Sequence, residues 1–361
     1  MYELLKELSQ LHGPCGHEQQ VSSWIKDKIA PMVDEVYIDP IGNVIARKKG
    51  NKPGPSIAVT AHMDEIGFII KKIENNGLLR FEKLGGHDDR ILLAQHVQLL
   101  TISGYLHGVI GTMSAHFVKF DDPNKVRNHR QLYIDIGAKS KEEAEQLGVE
   151  IGQTVTWLPS IDYLGNKETG KLVGKAFDDR AGCAVIIEAL TELQDEPFCG
   201  ELIAVFTVQE EVGLRGAQVA AQQINADVAI ALDTTAVSDT VEETMDQSLA
   251  LGAGTGIKIM DFSLISHPAV KDKLIEIAKE QKINYQLEVF PGIGTDGGAM
   301  SLANKGVPTG VLSIPSRYAH SPVEVIDQED LLATKHLLKH FILSLSESTA
   351  FPFVQPNRPT V

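Results

Sequence analysis

The sequence predicts an α/β fold in which a mixed, mainly parallel sheet carries helices on both faces and a small all-β domain is inserted into the parent domain. Three observations carry this expectation. After Gly170, apolar strand-like runs alternate with helical periodicity, the pattern of strands joined by covering helices. From Gly67 to about Pro159, short strand-like runs follow one another between turns such as Asn75-Asn76-Gly77 and Gly85-Gly86, with one helical stretch at 140–147. Several apolar runs also end abruptly in charged residues, above all Leu202–Val208, which leads into Glu210 and Glu211. The parent domain is then discontinuous, residues 1–66 and 161–361, around an insertion at 67–160.

In chain order, Leu4, Leu5, Leu8 and Leu11 have helical spacing and stop at Gly13-Pro14. A second helix opens at 16–20, buries Val21, Trp24, Ile25 and Ile29, and closes at Pro31, with His17 expected as its polar cap. Alternation at 35–39, a turn at 40–43 and Val44-Ile45-Ala46 predict a hairpin, and 56–61 a buried strand. Inside the insertion, strands are expected at 99–106 and 108–113, and His87, His96, His107, His116 and His129 fit no ligand spacing. Beyond it the pattern predicts helices at 179–193, 216–223, 267–282, 297–304 and 327–345, and strands at 201–208, 227–232, 285–289 and 307–314. Gly252–Gly256 lacks the lysine and the helix start of a phosphate loop.

A formal charge of −15 with no clustered Lys and Arg argues against nucleic acid or an anionic membrane as partner. Cys15, Cys183 and Cys199 are odd in number and far apart, which is neither a disulfide framework nor a zinc clamp. With no apolar stretch near the roughly 20 residues of a membrane span, and no basic start or apolar centre of a signal peptide, the chain reads as cytoplasmic.

Ionised groups do not stay unpaired inside a buried strand, so Glu210 and Glu211 belong at its carboxyl end, where open α/β sheets form their crevices. Only Arg215 is near them in sequence, and a metal cation would neutralise them. Similar polar breaks recur: His62-Met63-Asp64 after one strand, Asp178-Asp179-Arg180 before a helix, Asp233 after a further strand and His320 after the last. In a parallel sheet they would share one edge. Imidazole and carboxylate are ligands that zinc, cobalt or manganese accept, and a carboxylate's two oxygens can bridge two ions.

The strings Ala61–Gly67, Phe177–Arg180, Gln209–Gly213, Leu232–Thr234 and Arg317–Pro322 together resemble the glutamyl and deblocking aminopeptidase family, whose members include the tetrahedral aminopeptidases. The resemblance covers nearly the whole chain. It implies a zinc-exopeptidase-like fold and two divalent ions per subunit, zinc or cobalt with manganese acceptable. Asp178 would bridge them, His62 and Asp233 completing one site and Glu211 and His320 the other. Glu210 would be left as general base and acid, and Asp64 would be the supporting carboxylate that orients His62. The resemblance further implies a strained peptide bond after Asp178, whereas the plain reading of Asp179 is a helix N-cap; Arg180 is open between an ion pair and an ordinary first-turn residue. The 292–298 loop would lie near substrate. Substrates would be peptides with a free amino terminus, and the β insertion, as a barrel-like dimerisation domain, would build dimers into a twelve-subunit particle.

Two rival readings are an endoglucanase-type glycoside hydrolase and a catalytically silent binding protein on the same scaffold. Glycosidases set two carboxylates across a sugar, usually beside aromatic platforms. Aromatics are only 6% here, and His62 and His320 would be unexplained. A silent protein would have no use for Glu210 as a glutamate outside the ligand set.

Overall fold

The computed structural model of the protein describes residues 1–120, 122 and 124–354. Helices α1 (Tyr2–Gln10) and α2 (Gln19–Ile29) bury the leucine, valine and isoleucine face that their spacing predicts. His17 does not cap α2. The N-cap residue is Glu18, which bonds none of the helix amides with its side chain. Instead, Glu18 Oε1 accepts from Gly16 N at 2.7 Å and Gln209 N at 3.0 Å. The expected hairpin forms from β1 (Glu35–Ile38) and β2 (Val44–Lys49), followed by β3 (Lys52–His62).

The next six strands close into a barrel: β4 (Gly67–Ile73), β5 (Leu79–Leu84), β6 (His96–Thr101), β7 (Gly104–Ile110), β8 (Ile134–Asp135) and β9 (Thr154–Trp157), with helix α3 (Lys141–Gln146) before the last. Alternate residues point inward, so Phe68, Ile70, Leu79, Phe81, Val97, Leu99, Ile110, Val155 and Trp157 form a core of their own. The strand expected at 99–106 is instead a hairpin turning at Ile102-Ser103. There the Thr101 hydroxyl donates to Gly104 O at 2.8 Å and accepts from Ser103 N at 3.1 Å.

The remaining elements are β10 (Ile161–Tyr163), β11 (Lys171–Gly174), α4 (Phe177–Glu192), β12 (Cys199–Thr207), α5 (Arg215–Gln223), β13 (Val228–Ala236), β14 (Thr255–Met260), α6 (Pro268–Glu280), β15 (Tyr285–Val289), α7 (Asp296–Ser301), β16 (Thr309–Arg317), β17 (Glu324–Asp327) and α8 (Gln328–Leu343). They complete a mixed sheet in the order β1-β2-β12-β3-β13-β16-β17-β11-β10, with β14 and β15 branching from β16. The expectation of a mainly parallel sheet needs correcting. Parallel pairing is confined to the central β12-β3-β13-β16 and to β14/β15, and every other ladder of this sheet is antiparallel. The antiparallel partners include β10, β11, β14 and β17, runs too short or too polar to be read as strands from sequence.

Both faces are covered, and the period of two shows it. Val44, Ala46, Ile57, Val59, Leu202 and Ala204 pack with α1, α2, α4, α6 and α8 in the larger core. Their neighbours Ile45, Ala58, Ile203 and Val205 pack with α5 and α7 on the other side. A buried charge cluster links α1, the end of β3 and the start of α4. Lys175 Nζ lies 2.6 Å from Glu65 Oε2 and Arg180 Nη2 lies 3.6 Å from Glu65 Oε1. The Arg180 fork also donates to Met63 O and Leu8 O, both at 2.6 Å. Breaking such a buried set by deleting one partner typically costs about 3–5 kcal/mol, which makes it a structural anchor beneath the polar edge. Gly252 N and Gly254 N donate to Asp330 at 2.8 and 2.7 Å, so these glycine amides already have an internal anion and bind no phosphate.

Candidate metal centre

The four parallel strands end on one edge, and that edge gathers the polar breaks. His62 is the last residue of β3, Glu210 and Glu211 follow β12, and His320 follows β16. Asp233 lies inside β13 and not after it as expected, because pairing with β16 continues to Ala236. Asp178 stands at the entry of α4, where residues 178 and 179 leave helical geometry and the peptide bond between them is cis. Asp179 Oδ1 accepts from Gly182 N at 2.9 Å, so it caps the helix as the plain reading held.

Asp178 is central. Its Oδ1 lies 3.1 Å from His62 Nε2 and its Oδ2 3.3 Å from His320 Nε2. His62 Nε2 is also 3.8 Å from Asp233 Oδ1, and His320 Nε2 is 3.1 Å from Glu211 Oε1. Each histidine thus has one carboxylate of its own and shares Asp178 with the other. Two sets of donors, His62/Asp178/Glu211 and His62/Asp179/Asp233, have their ligand atoms within 4.8 Å of one another. The second brings in Asp179, whose Oδ2 is buried without a partner.

These donors suit a cation electrostatically. Burial, joined by neighbouring acids, raises the carboxyls of Glu210, Glu211 and Asp233 above their ordinary range. Burial opposes the charged form of His320, yet Glu211 and Asp178 outweigh it and push its pKa up to about 12. His62 is likewise raised, its hydrogen bonds to Asp178 and Asp64 prevailing over burial. Carboxyls raised by burial among other acids mark a pocket with more buried acid than its own bases balance. Neutral imidazole with carboxylate oxygen is the donor set of zinc, cobalt or manganese.

The supporting residues differ in part from the expectation. His62 Nδ1 lies 3.0 Å from the backbone carbonyl of Asp64 and 3.5 Å from its carboxylate. That carboxylate mainly accepts the amides of Glu210 and Glu211, at 2.9 and 3.1 Å. With Asn43 Oδ1 on Val208 N at 3.0 Å and Glu18 Oε1 on Gln209 N, four consecutive amides are each held by a side chain. The set holds Gln209 in the left-handed region, φ 56°, a conformation uncommon outside glycine. Glu324 accepts from Asp178 N at 3.1 Å and His320 N at 3.0 Å. Gly86 O, from the loop after β5, lies 2.8 Å from His320 Nδ1, and a Cβ on Gly86 would approach that ring to 3.3 Å. Sequence reading missed Glu18, Asn43, Glu324 and this role of Gly86; Asn43 and Gly86 showed only as turn residues. Arg180 proves to be an ion-paired anchor.

A cavity of about 700 Å³ opens over the site, lined by His62, Asp178, Glu210, Glu211, Asp233 and His320 together with residues 86–88, 213–214, 234–236, 262 and 292–294. Glu210 faces it without belonging to either donor set.

The sequence profile of the M42 glutamyl aminopeptidase family matches residues 42–337. A putative aminopeptidase of Acetivibrio thermocellus is 40% identical over 331 residues, 92% of this chain and 95% of the relative. Among solved structures, an aminopeptidase from the archaeon Desulfurococcus kamchatkensis superposes with a TM-score of 0.89 at 42% identity, over 95% of this chain and 94% of that one. The TET1 peptidase of Pyrococcus horikoshii, which can assemble into a tetrahedron or a large octahedral shell, superposes with a TM-score of 0.85 at 34% identity, over 95% and 99%. Profile, relatives and fold agree along nearly the whole length: the chain belongs to the M42 glutamyl aminopeptidase family and is a peptidase.

Proposed function

We propose that the protein removes the amino-terminal residue of peptides with the help of two divalent metal ions, zinc or cobalt with manganese acceptable. The observation that carries the reading is Asp178, whose two oxygens face His62 and His320 separately. Asp178 would be shared between the ions, His62 and Asp233 would hold one, and Glu211 and His320 the other. When bound, such a pair of ions makes water a nucleophile near neutral pH and polarises the scissile carbonyl.

The chain's own residues supply the rest. Glu210, in the cavity and outside the donor sets, takes a proton from the attacking water and returns it to the leaving amine. Asp64 and Glu18 hold the backbone on which Glu210 sits, which fixes where its side chain leaves the chain. The test is a peptide and its N-acetylated form, compared with metal-loaded enzyme. Cleavage of the first bond of the free-amine peptide alone is expected, and equal cleavage of both would overturn the reading.

Residues 67–160 form, in the same proposal, an inserted unit that pairs subunits in a homo-oligomer, a dodecamer built from dimers joined into a closed shell. Exposed apolar side chains on this segment, Ile102 at 83% and Ile151 at 68% of their full surface, suit that role. A monomer in light scattering at micromolar concentration would exclude it. Cytoplasmic residence belongs to the proposal too, supported by three unpaired cysteines and checked by cell fractionation. Among the described residues no helix is long and apolar enough to cross a membrane.

A further inference from the structure

We infer that the cavity selects peptides whose first residue carries a neutral, apolar side chain, an inference that rests on the aminopeptidase reading. The lining divides into two chemistries. One is the acid and imidazole set, and the other is the apolar set Leu214, Ala236, Phe262, Ile293 and Ala319. A substrate whose first peptide bond lies against the acidic set has its first side chain inside this same cavity, and the apolar set is the surface available to it.

Charged side chains find no partner there. Among the described residues, no Lys or Arg lines the cavity, so an acidic first side chain would find no basic side chain to pair with. Lys258 lies nearby in the chain, but its side chain is wholly buried, 3.2 Å from Glu288. His87 lines the cavity, yet its Nε2 is committed to the carbonyls of Gly67 and Leu84, at 2.9 and 3.2 Å. The one further acid on the lining is Asp88, and Arg90 occupies its carboxylate with contacts of 2.8 and 2.5 Å. A basic first residue would therefore have to displace an existing ion pair.

The backbone that carries Phe262 and Ile293 is held in place before substrate arrives. Phe262 N donates to Ile293 O at 2.8 Å. Asp261 Oδ1 accepts from Ser263 N and Leu264 N, both at 2.7 Å, and Thr295 N donates to Ser263 Oγ at 3.1 Å. A prearranged apolar surface discriminates by about 10–200-fold for each methylene it accepts.

The experiment compares kcat/KM of the metal-loaded full chain on the p-nitroanilides of leucine, glutamate and lysine, with acetyl-leucine as control. Leucine is expected to lead the other two by about tenfold or more. Ile293→Lys should raise the glutamate rate relative to leucine, and Phe262→Ala, at an exposed position, should lower leucine toward the others. Glutamate or lysine leading with acetyl-leucine uncleaved would overturn the preference and leave the aminopeptidase reading standing. Cleavage of none of the free-amine substrates would overturn both.

Discussion

Glu210→Gln is expected to keep both metal ions and to lose about 10²–10⁴ of its turnover, the range general acid–base help contributes. The upper end is expected because, in the proposed mechanism, one carboxylate would serve two proton transfers, from the water and to the leaving amine. The substitution is almost isosteric, and the backbone that carries it is held independently by Asp64 on the Glu210 amide and Glu18 on the Gln209 amide. A fall in kcat with KM little changed is the signature of a group acting in the transition state alone. Glu211→Gln gives the contrast. Its carboxylate is 3.1 Å from His320 and belongs to a donor set, so that variant should weaken one metal position and recover partly at high metal concentration. Measured metal content and kcat distinguish the two. Near wild-type turnover in a fully metallated Glu210→Gln would remove the proton-transfer role.

His62, Asp233, Glu210 and Glu211 were legible because they stand where an apolar run ends, and a carboxylate or imidazole where a buried strand should continue is unusual enough to be read in one dimension. Strand direction was not. Periodicity distinguishes a strand from a helix but carries no sign, so the antiparallel pairing of β2 with β12 could not be told from the parallel centre, and β17, β11 and β10 were too short or too polar to be read as strands at all. Asp233 was placed after its strand because polarity ends a hydrophobic run before pairing ends a ladder. The supports were hidden for another reason. Glu18 and Glu324 act by accepting backbone amides from residues 191 and 146 positions away, partners that only the fold supplies. Asp64 was expected to orient an imidazole, yet its carboxylate makes its shorter contacts with amides, and its carbonyl is nearer the ring.

Asp178→Ala is expected to empty both metal positions and abolish activity, whereas His62→Ala and Asp233→Ala should each empty mainly one. The reasoning is geometric first. Among the described carboxylates, Asp178 alone is paired with both histidines, one on each oxygen, and its removal takes a donor from each side at once. It is then electrostatic, because the lost negative charge leaves two imidazoles with fewer acids to offset a pair of divalent ions. The fold should survive, since Asp178 lies outside the buried Lys175–Glu65–Arg180 anchor and α4 keeps its cap at Asp179. Metal binding stabilises the folded chain by about 2.7 kcal/mol when free metal stands at 100 times its Kd, so thermal unfolding offers a readout independent of catalysis. Chelation should lower the Tm of the wild-type protein and leave that of Asp178→Ala almost unmoved, with about two ions per chain in the first by elemental analysis and close to none in the second. Two ions retained in Asp178→Ala, together with a full chelation shift, would mean that the ions do not share this carboxylate.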